Sequence, residues 1–91
     1  MNPLHQVEVL SIRTITGIGT LRAWADIRIA GAIVITRCSV MEGKRGHYVN
    51  MPRQLSRNGH WRDAVIVADM DLRKIYEDAI LKAFNAEVSH A

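Results

Sequence analysis

Between Thr20 and Ile29 the chain alternates strictly. Leu21, Ala23, Ala25, Ile27 and Ile29 are small or apolar, and Arg22, Trp24, Asp26 and Arg28 fall between them. Successive side chains of an extended strand point to opposite faces, so this spacing predicts a half-buried antiparallel strand with one face on a core. The opposite face alternates in charge around Trp24. It reads either as a solvated surface or as one that meets another chain. Such a strand cannot bury its apolar face alone and needs neighbours in a sheet and a second layer above it.

The flanking sequence supplies both. Gln6 to Ile15 reads as a first strand whose alternation slips near Leu10-Ser11, where a bulge is expected. Thr16-Gly17-Ile18-Gly19 reads as a turn and Ala30-Gly31 as a tight hairpin. Ala32 to Met41 is a third strand, whose Ile33, Val34, Ile35 and Val40 suit a central or interface position. A turn over residues 42–46 carries Lys44 and Arg45 between two glycines. His47 to Met51 is a fourth strand ended by Pro52, which has no N–H for a ladder. Arg53 to Asn58 reads as a loop, Asn58-Gly59 as a turn, and His60 to Val67 as a fifth strand.

From Asp69 the period changes. Leu72, Ile75, Tyr76, Ala79, Ile80, Ala83 and Phe84 recur at helical spacing, predicting an amphipathic helix of about four turns that ends near Asn85. Asp69 or Asp71 caps it. The expectation is an α+β domain over residues 1–91: an antiparallel β-meander of four to five strands (about 6–67), then one C-terminal amphipathic helix (about 70–85).

The totals narrow the function. Ninety-one residues make one domain with a modest core, burying roughly 60–65% of the unfolded surface, and such chains gain from pairing with a second copy. No apolar run approaches the ~20 residues that span a bilayer. Met1 to Gln6 shows no basic and apolar leader, so a cytoplasmic protein is expected. The single cysteine, Cys38, rules out an internal disulfide and reads as a small buried hydrophobe. His5, His47, His60 and His90 lack zinc-ligand spacing, so no metal is expected. No cofactor or small-molecule substrate is expected either. Gly17-Ile18-Gly19 lacks the next glycine and helix of a phosphate cradle, and no nucleophile–base pair stands out, so no catalytic residue is assigned. Asp26 and Glu42 are of the kind that pairs with neighbouring arginines.

Charge is unevenly placed. Residues 1–62 hold nine Arg or Lys against three Asp or Glu, and residues 63–91 hold three against six, for a net +3. Nine of the twelve cations are arginine, whose planar fork suits phosphate. Arg53, Arg57 and Arg62 flank the turn at Asn58-Gly59, with Trp61 among them. Arginine beside an aromatic suits contact with single strands or backbones; otherwise Trp61 packs into the core and the arginines are solvated. Arg73 and Lys74 sit in the first helical turn, where cations oppose the macrodipole. They read as a phosphate contact aided by free backbone N–H groups, or as a solvated pair relieved by Glu77 and Asp78. Lys44 and Arg45 read as a polar hairpin tip or an outlying phosphate contact.

The stretch Gly46 to Val65, GHYVNMPRQLSRNGHWRDAV, resembles the middle of the SpoVG family (stage V sporulation protein G), small bacterial septation and sporulation regulators. The likeness rests on Gly46, Tyr48-Val49, Met51-Pro52, Arg53, Asn58-Gly59, Trp61 and Arg62-Asp63. It extends upstream over GTLRAWADIRIAGAIVITRCSVMEG and downstream over RKIYEDAILKAF, about residues 6–85 in all. The resemblance implies a sheet followed by a helix, a homodimer joined through sheet strands, and binding of DNA and RNA in regulating gene expression and cell division. It places contacts on Arg53 and, on the helix, Arg73 and Lys74. The chain departs from the family where Gln54-Leu55 replaces an adjacent cation pair, which shifts the expected loop contact towards Arg57. It also departs where Val67-Ala68-Asp69 lacks a proline. The resulting expectation is a non-enzymatic, dimeric nucleic-acid binder. Its basic ridge comprises Arg53, Arg57, Arg62, Arg73 and Lys74, with Lys44 and Arg45 beside it and Arg13, Arg22 and Arg28 adding field at longer range. The alternative is a protein-interaction module in septation whose arginines only solubilise it.

Overall fold

The computed structural model describes residues 2–17 and 19–89. Ile18, in the expected 16–19 turn, lies outside them, as do Met1, His90 and Ala91. A one-turn 3-10 helix at Pro3–His5 leads into β1 (Val7–Thr14), β2 (Leu21–Ile29), β3 (Ile33–Gly43) and β4 (Gly46–Asn50). These four form one antiparallel sheet in the order β1-β2-β3-β4. β5 (Arg53–Leu55) and β6 (Trp61–Asp63) form a separate two-stranded ribbon, and α1 (Met70–Ser89) closes the chain.

The alternation in β2 does what its period requires. Ala23, Ala25, Ile27 and Ile29 are buried with Cys38 and Val40 of β3 and Val49 of β4, under Tyr76, Ile80 and Phe84 of α1. Trp24, Asp26 and Arg28 face the open side, where they meet partners across the strands. Arg28 pairs with Glu8, and Asp26 with Arg13. Arg22 reaches Glu42 at 2.8 Å. Cys38 is fully buried, and desolvation pushes its thiol up to about 11, so it is a neutral packing group.

The expected bulge is present: register shifts between Val9 and Ser11. A second bulge lies deeper. Ala25 pairs with Cys38 but Ile27 with Ile35, so β3 carries an extra residue opposite Asp26. Arg37 absorbs it at φ 63°. At the β2–β3 hairpin Ala30 and Gly31 both take positive φ, and Ala32 N–H donates to Ile29 C=O at 3.0 Å.

Three sequence expectations are corrected. Residues 53–55 are not loop but the first strand of the ribbon, paired with 61–63. The fifth strand is three residues, not the run from His60 to Val67. Ala64 N–H turns back to Pro52 C=O at 2.8 Å, and the chain then leaves the ladder for the helix. The helix continues past Asn85 to Ser89. Its apolar stripe stops at Phe84, but Ala86 and Glu87 favour helix and no glycine or proline halts it. Of the two candidate caps, Asp69 acts: its Oδ1 accepts from Asp71 N at 2.9 Å and Leu72 N at 3.1 Å. The Leu72 hydrogen bond first, then that of His5, holds the Asp69 carboxyl below its ordinary range.

Candidate nucleic-acid interface

The ribbon positions its residues by strand parity. Arg53 pairs with Asp63, Gln54 with Arg62, and Leu55 with Trp61. Alternation therefore puts Arg53, Leu55, Trp61 and Asp63 on one face and Gln54 and Arg62 on the other. Its tip is held by Ser56, whose N–H donates to His60 C=O at 2.8 Å and whose hydroxyl accepts from His60 N at 3.2 Å. Arg57 projects there beside Asn58-Gly59, with Gly59 at φ 79° as a turn requires. Trp61 does not pack into the core; it is 61% exposed.

Asp63 of the ribbon lines a small cleft together with Arg73 and Tyr76 of the helix. Arg53 Nε lies 3.2 Å from Asp63 Oδ1. Arg73, in the first turn of α1, donates through Nε to Glu77 Oε1 at 2.9 Å. That hydrogen bond and the Glu77 charge raise its pKa further, and the Asp63 charge adds a smaller push. Arg53 thus pairs with Asp63 and Arg73 with Glu77, while Asp63 and Arg73 line one small cleft. Lys74 follows on the exposed helix surface. Among the described residues, Arg57, Arg62 and Lys74 form no ion pair (the pairs formed are His5–Asp69, Arg13–Asp26, Arg22–Glu42, Arg28–Glu8, His47–Glu42, Arg53–Asp63 and Arg73–Glu77).

Two expectations fare differently. The backbone N–H groups expected to await a phosphate at the helix start are in part taken, since Asp69 holds those of Asp71 and Leu72 and its carbonyl that of Arg73. Any anion contact there falls to side chains. Lys44 and Arg45 turn between β3 and β4, next to His47, whose ring lies 4.9 Å from that of Phe84. Phe84 is eleven residues along the helix from Arg73, a rise of about 16 Å, so His47, beside this pair, packs well along the helix from Arg73. Arg13, Arg22 and Arg28 are each neutralised by a carboxylate on the open face.

Arg37 is the residue that sequence reasoning missed. Its guanidinium carbon lies 5.5 Å from the centre of the Trp24 ring, and no carboxylate among the described residues pairs with it. Asp26 fixes this placement by accepting the Arg37 N–H at 3.0 Å, the main reason its carboxyl is held below the ordinary range, with Ser11 and Arg13 assisting against partial desolvation. The signal was present in the sequence. Residues on the core face of β3 are odd at Ile35 but even at Cys38 and Val40, which demands one extra residue between them. Trp24 and Arg37 of the sheet and Arg53 and Trp61 of the ribbon line a common cleft of about 490 Å³. A second cleft, about 680 Å³, is apolar and lined by Leu4, Ile33, Val34 and Ile66 among others. No group of three or more His, Cys, Asp or Glu among the described residues is placed to hold a metal ion, and none of the helices described is long and apolar enough to cross a membrane.

Comparison with known proteins agrees with the arrangement of elements. The family model described as SpoVG matches residues 5–86. Relatives bearing the name "Putative septation protein SpoVG" include one from Symbiobacterium thermophilum, 29% identical over 82% of this chain and 54% of that protein. One from Acholeplasma laidlawii is 33% identical over 80% of this chain and 78% of that protein. One from Staphylococcus aureus is 30% identical over 88% of this chain and 80% of that protein. The chain spans only about half the length of the Symbiobacterium relative. With the matched region covering the sheet, the ribbon and nearly all of the helix, this chain belongs to the SpoVG family.

Proposed function

We propose that the chain is a dimeric, non-enzymatic nucleic-acid-binding regulator of gene expression and cell division. What supports this reading is the run of cations on two successive elements: Arg53, Arg57 and Arg62 on the ribbon and its turn, and Arg73 and Lys74 in the first turns of the helix that follows. Three of the five have no ion-pair partner among the described residues; of the other two, Arg53 pairs with Asp63 and Arg73 with Glu77. Phosphates would exchange places with these carboxylates, giving affinity and salt dependence with little sequence information. The septation names of the relatives support the division role.

The dimer reading rests on the edge of β3. Its pairs with β4 begin at Ser39, so Ile33 to Cys38 have a β2 neighbour on one side and, among the described residues, no strand on the other. Ile33 and Val34 are 58% and 52% exposed there, beside the apolar cleft that reaches Leu4 and Ile66. A second copy pairing its own edge antiparallel would satisfy the backbone and cover this surface, the isologous contact a two-fold axis requires. The alternative, a module that binds a division protein, draws on the same apolar surface.

The test is a salt series with labelled duplex DNA and single-stranded RNA, using the wild type and an Arg53→Ala/Arg57→Ala/Arg73→Ala/Lys74→Ala variant. Affinity should fall linearly with salt on logarithmic axes. A slope shallower in the variant by about 0.9 for each duplex phosphate it no longer neutralises supports the junction as the site. Equal behaviour of the two proteins refutes it and turns the search to a protein partner.

A further inference from the structure

We infer that the cleft between the sheet and the ribbon is a stacking slot for an unpaired nucleobase, so that the protein distinguishes single-stranded from duplex nucleic acid. This rests on the nucleic-acid reading above and goes beyond it. Cations that contact phosphates cannot by themselves tell one strand from two. The cleft has different chemistry. From the sheet side comes Trp24, with the Arg37 guanidinium 5.5 Å from its ring centre. From the ribbon side come Trp61 and Arg53. Two tryptophans and two arginines thus line a space of about 490 Å³, within the size range of small-molecule sites. A nucleotide is a flat π-surface joined to an anion, and these are the groups that receive each half.

Three features favour this occupant. Trp61 is 61% exposed and contributes nothing to the core, so folding does not account for its position. Arg37 adopts a backbone conformation unfavourable for a residue with a Cβ, and the Asp26 hydrogen bond holds it there, leaving the side chain over Trp24 instead of in an ion pair. A second copy of the chain fits poorly. Two-fold contact through this cleft would set Arg37 and Arg53 against the same cations of the partner, whereas the β3 edge offers that partner a separate, apolar surface. A base within a duplex has both faces covered by its neighbours, so only an unpaired base can enter.

The test compares binding of a short labelled oligothymidylate and a duplex of matched length by the wild type, Trp61→Ala and Trp61→Tyr. Trp61 is exposed, so neither substitution should disturb the fold, and circular dichroism checks this. Trp61→Ala should lose about 5- to 150-fold in affinity for the strand while duplex affinity moves less than about twofold, and Trp61→Tyr should recover most of the loss. Tryptophan emission of the wild type should quench on adding the strand. If Trp61→Ala binds the strand as the wild type does while the four-cation variant does not, the slot is refuted and the phosphate-binding junction stands. If the wild type binds neither nucleic acid, the nucleic-acid reading falls and takes the slot with it. If emission instead changes on dilution of the protein alone and Trp61→Ala sediments as a monomer, a second copy fills the cleft and the slot is refuted.

Discussion

Asp26 and Arg37 are bound through the side chain of one and the backbone of the other: Oδ1 of Asp26 accepts the Arg37 N–H at 3.0 Å, across the bulge that breaks the β2–β3 register. The same carboxylate accepts from the Ser11 hydroxyl at 3.1 Å and lies 3.4 Å from Arg13 Nη1. One side chain therefore ties three strands and sets the place of a cation in the cleft.

Replacing Asp26 with Ala should destabilise the fold by about 1–3 kcal/mol, the usual cost of leaving donors to a charged acceptor unpartnered. The effect should depend on pH. The folded pKa of Asp26 lies below its ordinary value, so its contribution is complete above about pH 4–5 and is lost as pH falls through the depressed folded value. Urea unfolding of both proteins at neutral pH and near pH 3 should show the gap narrowing in acid; a gap of constant size would assign the effect to shape alone.

Ile80 is fully buried at the centre of the helix–sheet contact. Ile80→Ala should cost about 2–5 kcal/mol through lost burial and a residual cavity. A domain of this size has about 5–15 kcal/mol in total, so the midpoint of denaturation should fall sharply with little change in slope.

Asp63 competes with phosphate for Arg53 and weakens the positive field at Arg73. Asp63→Asn should tighten nucleic-acid binding about 1.4- to 5-fold at low salt, the range of an exposed ion-pair energy, with the gain fading as salt rises. Fluorescence anisotropy across a salt series reads this directly. Weaker binding by the variant would mean that Asp63 serves to orient Arg53 more than to compete for it.

Val34 lies on the stretch of β3 that β4 does not pair with, half exposed and opposite Arg28 of β2. Val34→Lys places a charge on that edge, a device that blocks strand addition. Sedimentation equilibrium at micromolar concentration should show the wild type as a dimer and the variant as a monomer of unchanged secondary structure. A wild-type monomer would remove the edge-pairing proposal.

The sheet and helix were legible because their physics is periodic. Leu21 to Ile29 alternate without a break, and Leu72 to Phe84 repeat at helical spacing, so a burial pattern was written into the chain. The slip at Leu10-Ser11 announced its bulge. The one opposite Asp26 announced itself less clearly, as a change of parity between Ile35 and Cys38 inside a strand rich in β-branched residues. The ribbon was not legible. Arg53-Gln54-Leu55 and Trp61-Arg62-Asp63 are too short and too polar for any period to show, and their pairing is decided by the Ser56–His60 closure and by Pro52 accepting from Ala64. The candidate site was readable as a set of cations but not as a geometry. Sequence spacing did not reveal that Asp63 would pair with Arg53, that Asp69 would take helix-start N–H groups, or that His47, beside Lys44 and Arg45, would pack on Phe84.

The face that the 53–63 ribbon turns towards the cleft is a matter of counting. Deleting one residue between Leu55 and Trp61 would shift the second strand by half its period, presenting Arg62 where Trp61 stands and sending the indole to the other side. Composition and net charge would scarcely change, yet an aromatic wall would become a cationic one. Deletions at this tip therefore act as a coarse selector of ligand chemistry, one that substitution alone reaches only by changing several positions together.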